Sequence, residues 1–105
     1  MATYLLAYHG GGMPATDEER AKVMAEWGQW FGTLGSDLVD GGNPVGQTRT
    51  IAAAGSVSDG GGANPVTGYS VIKADSMDAA VSMARACPLL KSGGNIEVCE
   101  TFSAM

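Results

Sequence analysis

The chain has 105 residues, of which 45% are hydrophobic, enough for one folded domain over residues 1–105 and too many for a disordered chain. Six lysines and arginines against eleven acidic residues give a net charge of −5, which excludes nucleic acid as an expected partner because phosphates require a basic surface. No apolar run is long enough to cross a bilayer and no signal-like segment is present, so we expect a cytoplasmic protein without a membrane partner.

The first predicted element is a strand over residues 3–9. Residues 4–8 are all apolar or aromatic, without alternation, which is typical of a strand that is buried on both faces. This strand is therefore expected in the middle of a sheet. Three glycines and a proline then predict a loop over residues 10–14.

A long amphipathic helix is predicted from Thr16 to Leu34. Thr16 with Glu19 three residues later is the pattern of a capping box, and Gly35 is a plausible C-cap. The apolar residues recur at helical spacing and predict one buried face. They are Val23, Trp27, Trp30, Phe31 and Leu34.

The remaining chain predicts two further strands, a second helix and a final strand. A weak, alanine-rich strand is expected over 48–54 and a stronger one over 66–74, with a glycine-rich loop or hairpin tip between them. The second helix begins at Asp75 or Ser76, and Pro88 ends it. The last strand is expected over 96–102.

The order β-α-β-β-α-β predicts an α+β fold. With right-handed crossovers it closes into a four-stranded antiparallel sheet that has two helices on one face, the ferredoxin-like arrangement, with the first and third strands central. The helices leave the second face of the sheet uncovered. An uncovered apolar face predicts a homodimer that packs sheet to sheet or edge to edge.

Several segments resemble the YCII-related family, in its DGPF-containing branch. They are YLLAYHG at the start, EER at the beginning of the first helix, LVDGGNP after it, TGYSVIKADSMDAAVSMARACP, and GGNIEVCE near the end. The resemblance covers nearly the whole chain and implies a ferredoxin-like dimer of the dimeric α+β barrel type. It also implies relatives of two kinds: enzymes that act on small aromatic or chlorinated compounds, and proteins encoded near or fused to sigma factors, with no assigned reaction.

The chain departs from this family at its catalytic pair and its name-giving motif. The family has a histidine on the first helix, where this chain has about Met24, and an aspartate before the second-helix proline, where it has Cys87. Asp59 and Gly60 are followed by two glycines instead of Pro-Phe. The catalytic residues of the enzyme relatives therefore do not carry over.

His9 is the candidate catalytic residue, because it is the only histidine and follows a central strand beside a glycine loop. The alternative is a hydrogen-bonded loop histidine. Trp27 and Tyr69, together with Trp30, are candidate walls of an aromatic ligand pocket, although the tryptophans also suit the core. Arg49 could hold an anion or form a surface ion pair.

Asp59 and Cys87 are weaker candidates for a functional role. Asp59 in the glycine-rich loop could reach a ligand, or simply begin a turn. Cys87 could be a nucleophile, but its place in the apolar stripe at a helix C-terminus favours a buried structural thiol. One histidine and two distant cysteines predict no metal site, and the glycines match no phosphate-binding loop, so no cofactor is expected.

Two functions follow from these observations. The first is a non-catalytic homodimeric module that binds a small molecule or regulates another process, which the missing catalytic pair favours. The second is a cofactor-free lyase or isomerase for a small, aromatic organic compound. It would use His9 as acid or base, Arg49 to orient an anion, and Trp27 and Tyr69 as walls. The sequence does not decide whether the protein is an enzyme.

Overall fold

The computed structural model describes residues 2–12 and 14–103, which form an α+β fold with a four-stranded antiparallel sheet and two α-helices. Met13, in the predicted loop 10–14, and the two ends of the predicted domain, Met1 and 104–105, lie outside the described residues. The elements in chain order are β1 (Ala2–His9), α1 (Asp17–Leu34), β2 (Leu38–Asp40), β3 (Arg49–Ile51), β4 (Val57–Asp59), β5 (Val66–Ala74), α2 (Met77–Ala84) and β6 (Asn95–Glu100). No helix in the described ranges is both long and apolar enough to traverse a bilayer.

The sheet has the strand order β2-β5-β1-β6, which is consistent with a ferredoxin-like fold. The first strand lies between β5 and β6 and pairs with both along almost its whole length, so the prediction of a central first strand is confirmed. The prediction that residues 66–74 form a central strand is confirmed as well. A central strand contributes side chains to both faces, which explains why residues 4–8 are apolar without alternation.

Side-chain burial alternates along the central strands and defines the two faces of the sheet. The side chains that face the helices are buried. They are Tyr4, Leu6 and Tyr8 of β1, and Ser70 and Ile72 of β5. The intervening side chains lie on the opposite, open face and are only partly buried. Those of the central strands are Thr3, Leu5, Ala7, Tyr69, Val71 and Lys73.

Both helices begin where the sequence predicts. The Thr16 hydroxyl accepts a hydrogen bond from the Glu19 amide at 3.1 Å, and the Ser76 hydroxyl caps α2 in the same way. Gly35 closes α1 with a φ of 55°, a conformation in which glycine has no steric penalty. The Trp30 indole donates a hydrogen bond to the Met83 carbonyl at 3.1 Å, which ties α1 to α2 above the sheet.

The prediction of a sheet strand at 48–54 is wrong. The second strand of the main sheet is β2, where Leu38 pairs with Ile72, and residues 49–51 instead form a separate two-stranded hairpin with β4. Ala52–Ala54, the end of the predicted strand, form the hairpin turn. A three-residue strand carries too little pattern to be found locally, and its pairing partner lies over thirty residues away, so only the tertiary structure selects it.

The second helix is shorter than predicted, and the final strand is shifted. The helix ends at Ala84, and Cys87 is extended because the following proline disfavours a helical conformation there. Pro88 then begins a 3-10 helix over Pro88–Ser92 rather than only ending the α-helix. The last strand covers Asn95–Glu100, so residues 101 and 102 lie beyond it.

Candidate functional site

His9 lies at the end of β1, only 4% exposed, and its ring contacts two chain segments. Nδ1 is 3.0 Å from the Asn64 carbonyl oxygen and 3.1 Å from that of Pro65. Because carbonyl oxygens only accept hydrogen bonds, Nδ1 carries a proton and donates. The loop before β5 therefore holds the imidazole in one orientation.

The second ring nitrogen of His9 faces a carboxylate. Nε2 is 2.5 Å from Glu97 Oε1, although the contact is not aligned as a hydrogen bond. The Glu97 side chain is 61% exposed, and it therefore presents the pair to solvent while His9 stays buried behind it.

A row of three side chains crosses the open face next to this pair. Ala7 of β1 lies directly between Tyr69 of β5 and Glu97 of β6. Because alanine is smaller than its two neighbours, we infer a notch at Ala7 with an aromatic residue on one side and a carboxylate on the other. We call Tyr69, Ala7, Glu97 and the adjoining His9 the Ala7 row.

The predicted pocket between Trp27 and Tyr69 is not formed. Trp27 packs against Tyr8 on the helix side of the sheet, with ring centroids 5.4 Å apart, whereas Tyr69 is on the open face. Trp30 and Phe31 complete the cluster around Trp27, with centroid distances of 5.7 and 5.8 Å. These four aromatic rings fill the layer between α1 and the sheet, so the tryptophans belong to the core.

Arg49 and Asp59 are brought together, but in the hairpin rather than at the Ala7 row. They are directly opposite each other on β3 and β4, and Arg49 Nε is 3.6 Å from Asp59 Oδ1. Both side chains are largely exposed, so the pair contributes little to stability. The surface ion pair considered for Arg49 is the arrangement found.

A buried polar chain links β1, β5 and the loop after β2. The Tyr8 hydroxyl donates to Ser70 Oγ at 2.7 Å, and Ser70 Oγ donates to the Gly41 carbonyl at 2.7 Å. Burial raises the pKa of the Tyr8 hydroxyl, an effect that the hydrogen bond with Ser70 partly offsets. Cys87 lies beside Tyr8, and burial raises the pKa of its thiol to about 11, partly offset by the Leu89 backbone and by Tyr8.

This raised pKa predicts an inert thiol at Cys87. In the folded chain Cys87 is expected to react with iodoacetamide far more slowly near neutral pH than in the urea-unfolded chain, because it is buried. The thiol ionises first in the unfolded chain, so its contribution to the free energy of unfolding is complete below pH 9.0 and is lost as the pH rises toward about 11.

Mass spectrometry of the alkylated chain and denaturant titrations between these pH values measure both effects. Cys87→Ala should flatten this part of the pH dependence, whereas the control Cys99→Ala should keep it. Equal alkylation rates for Cys87 in the folded and the unfolded chain would contradict the assignment.

Elsewhere the described surface has shallow depressions that are lined by other residues. One, of about 370 Å³, lies beside the start of α1 and includes Glu19, Lys22 and Glu26. Another, of about 330 Å³, lies between the two helices and includes Trp30 and Met83. Neither includes a residue of the Ala7 row. Within the described ranges, no three histidine, cysteine, aspartate or glutamate side chains are grouped to hold a metal ion.

No family model matches the chain, and no curated protein matches it at a significant level.

Sequence reasoning found His9 but missed Glu97 and Ser70. His9 was found because it is the only histidine. Glu97 lies in the predicted last strand, but nothing local shows that this strand pairs with β1 beside His9. The alternation along 66–74 would have placed Ser70 on the buried face, where a hydroxyl must find a partner.

Proposed function

We propose that this protein is a cytoplasmic, non-catalytic module of the YCII-related kind, which forms a homodimer and binds a small organic molecule at the open face of its sheet. The Ala7 row is the observation that carries the proposal. It gathers an aromatic ring, a carboxylate and a buried imidazole on the one sheet face that no helix covers.

The composition of the open face supports a second copy as its cover. The partly buried Leu5, Val71 and Cys99 lie side by side across it. Lys73 lies beside Thr3 on β5, and Glu97 lies beside Ala7 on β6, so the two charges are diagonally opposite about Leu5. Consider a two-fold axis that runs parallel to the sheet, over Leu5 and across the line from Lys73 to Glu97. It places each Lys73 opposite the Glu97 of the other copy, which is the charge complementarity that an isologous interface requires.

The ligand chemistry follows from the residues of the row. The notch at Ala7 accepts an apolar or aromatic body against Tyr69, while Glu97 accepts a hydrogen bond from a hydroxyl or amine of the ligand. The aromatic cluster of Tyr8, Trp27, Trp30 and Phe31 occupies the space between α1 and the sheet, so the predicted pocket beside Trp27 is closed. A second copy stacked on the open face would shield the notch from water.

The contact between His9 and Glu97 favours a second candidate function, a cofactor-free lyase or isomerase. An exposed carboxylate that is backed by a buried imidazole can take a proton from a ligand and return it to another atom of the same ligand. In that case Glu97 touches the substrate, and His9 positions it. Arg49, in the exposed hairpin, is not part of this arrangement.

The dimer is tested by sedimentation velocity over a range of concentrations. We expect the wild-type chain to dimerise and Val71→Glu to be monomeric, since the new carboxylate would lie at the centre of the open face. Met24→Glu is the matched control, because Met24 is exposed on α1, away from that face, and should leave the dimer intact. A wild-type chain that stays monomeric at high micromolar concentration would contradict the proposal.

The ligand site is tested by thermal shift against a panel of small aromatic acids, phenols and amines. A bound compound should raise the melting temperature in a concentration-dependent way, and Tyr69→Ala should remove the shift. Chromatography of the same compound distinguishes the two functions. If the wild-type protein converts the compound and Glu97→Gln does not, the protein is an enzyme. A compound that stabilises Tyr69→Ala as well as the wild type would place its site elsewhere.

A further inference from the structure

The hairpin of β3 and β4 projects away from the body of the protein. Its strands pair only with each other, and every residue from 49 to 66 is exposed. The radius of gyration is 15.2 Å, against about 13 Å for a compact domain of this length. We call residues 46–65 the hairpin arm.

The arm has two chemically different sides. Ile51 pairs directly with Val57, and Arg49 pairs with Asp59 on the same side, whereas Thr50 and Ser58 face the other way. The side chains of Ile51 and Val57 are 72% and 59% exposed, so an apolar cross-strand pair meets water. An isolated two-stranded hairpin is only marginally stable in water, and this one needs a surface to pack on.

The open face is too small to hold a dimer by itself. Four strands about 4.8 Å apart, with about six residues each at about 3.3 Å per residue, have a footprint on the order of 400 Å². A stable interface buries about 800 Å² on each partner. The missing area must come from a surface next to that face.

The shape of the molecule indicates that the hairpin arm supplies this additional interface area. The molecule is only 18 Å thick and about 43 by 42 Å across, so the arm extends sideways within the slab instead of folding over the sheet. It therefore leaves the open face free and widens it. Arg49 and Asp59 cancel each other's charge, so the arm can approach a second copy without the repulsion expected between two bodies of net charge −5.

We infer that the Ile51–Val57 side of the hairpin arm packs against a second copy of this chain and extends the interface. The inference rests on the homodimer proposed above. In the dimer each arm reaches past the edge of its own sheet and lies against the partner. Ile51 and Val57 then lose their contact with water, while Thr50 and Ser58 stay hydrated on the outside.

Sedimentation equilibrium of two double variants tests this inference. Ile51→Ser with Val57→Ser should raise the dimer dissociation constant about tenfold or more, because two apolar side chains leave the interface. Thr50→Ser with Ser58→Ala is the matched control on the opposite side of the same strands. It keeps the hydroxyl that donates to the Gly60 carbonyl, and should change the constant less than twofold. Circular dichroism and thermal melts should show an unchanged fold in both, since the strands β3 and β4 pair only with each other and all four side chains are exposed.

The possible outcomes distinguish a failure of the proposed arm contact from a failure of the proposed dimer. If Val71→Glu dissociates the wild-type dimer but the double variant of Ile51 and Val57 leaves it intact, the arm contact is overturned and the proposed function is kept. Equal weakening by the two arm variants would also overturn it, since the effect would not depend on the apolar side. A monomeric wild type would overturn both proposals together.

Discussion

Replacing Trp30 with alanine is expected to lower the free energy of unfolding by about 3–5 kcal/mol. The indole is 4% exposed and lies between α1, α2 and the other aromatic rings, so its removal leaves a cavity in the centre of the helix layer. It also removes the hydrogen bond to the Met83 carbonyl. A domain of this size has a total stability of about 5–15 kcal/mol, so the loss is a large fraction of it.

Urea denaturation followed by far-UV circular dichroism measures this loss. Phe102→Ala is the matched control, because this aromatic side chain is exposed beyond the last strand and should change stability by less than about 0.5 kcal/mol. Trp30→Phe should recover part of the packing but not the hydrogen bond. A Trp30→Ala variant as stable as the control would show that the aromatic cluster does not hold the helices on the sheet.

Gly42→Ala is expected to be nearly as damaging, for a backbone reason. Gly42 has a φ of 74°, and a Cβ there would lie 1.7 Å from the carbonyl oxygen of Tyr69. The left-handed conformation costs an alanine about 1–2 kcal/mol, and relieving the clash costs about 1–3 kcal/mol more. The loop after β2 would have to move away from β5, and Tyr69 of the Ala7 row would move with it.

Gly46→Ala is the matched control for this substitution. Gly46 lies four residues later in the same connection, and a Cβ there meets no atom within 4 Å. We expect its melting temperature to match the wild type, while Gly42→Ala melts far lower. Gly42→Ala should also lose the response to any compound that stabilises the wild type through Tyr69. Equal melting temperatures for the two variants would contradict the close approach of Gly42 to β5.

The candidate site was only partly predictable, because its residues come from three strands. His9 stands out in the sequence as a unique titratable group, but its partners Glu97 and the carbonyls of Asn64 and Pro65 are more than fifty residues away. Trp27 and Tyr69 were grouped because both are aromatic. Their separation onto opposite faces follows from the strand register, which composition cannot reveal.

The sequence by itself determined the elements that have strong local patterns. The unbroken apolar run of β1, the Thr16 and Ser76 caps, and the helical spacing of Trp27, Trp30 and Leu34 each act within a few residues, so they are legible without the fold. Only the tertiary structure decided that Leu38 rather than the stretch at 48–54 completes the sheet, that Glu97 meets His9, and that the hairpin stands apart. These outcomes depend on pairing between distant strands, where the energy of a register is shared among many residues and no short segment carries it.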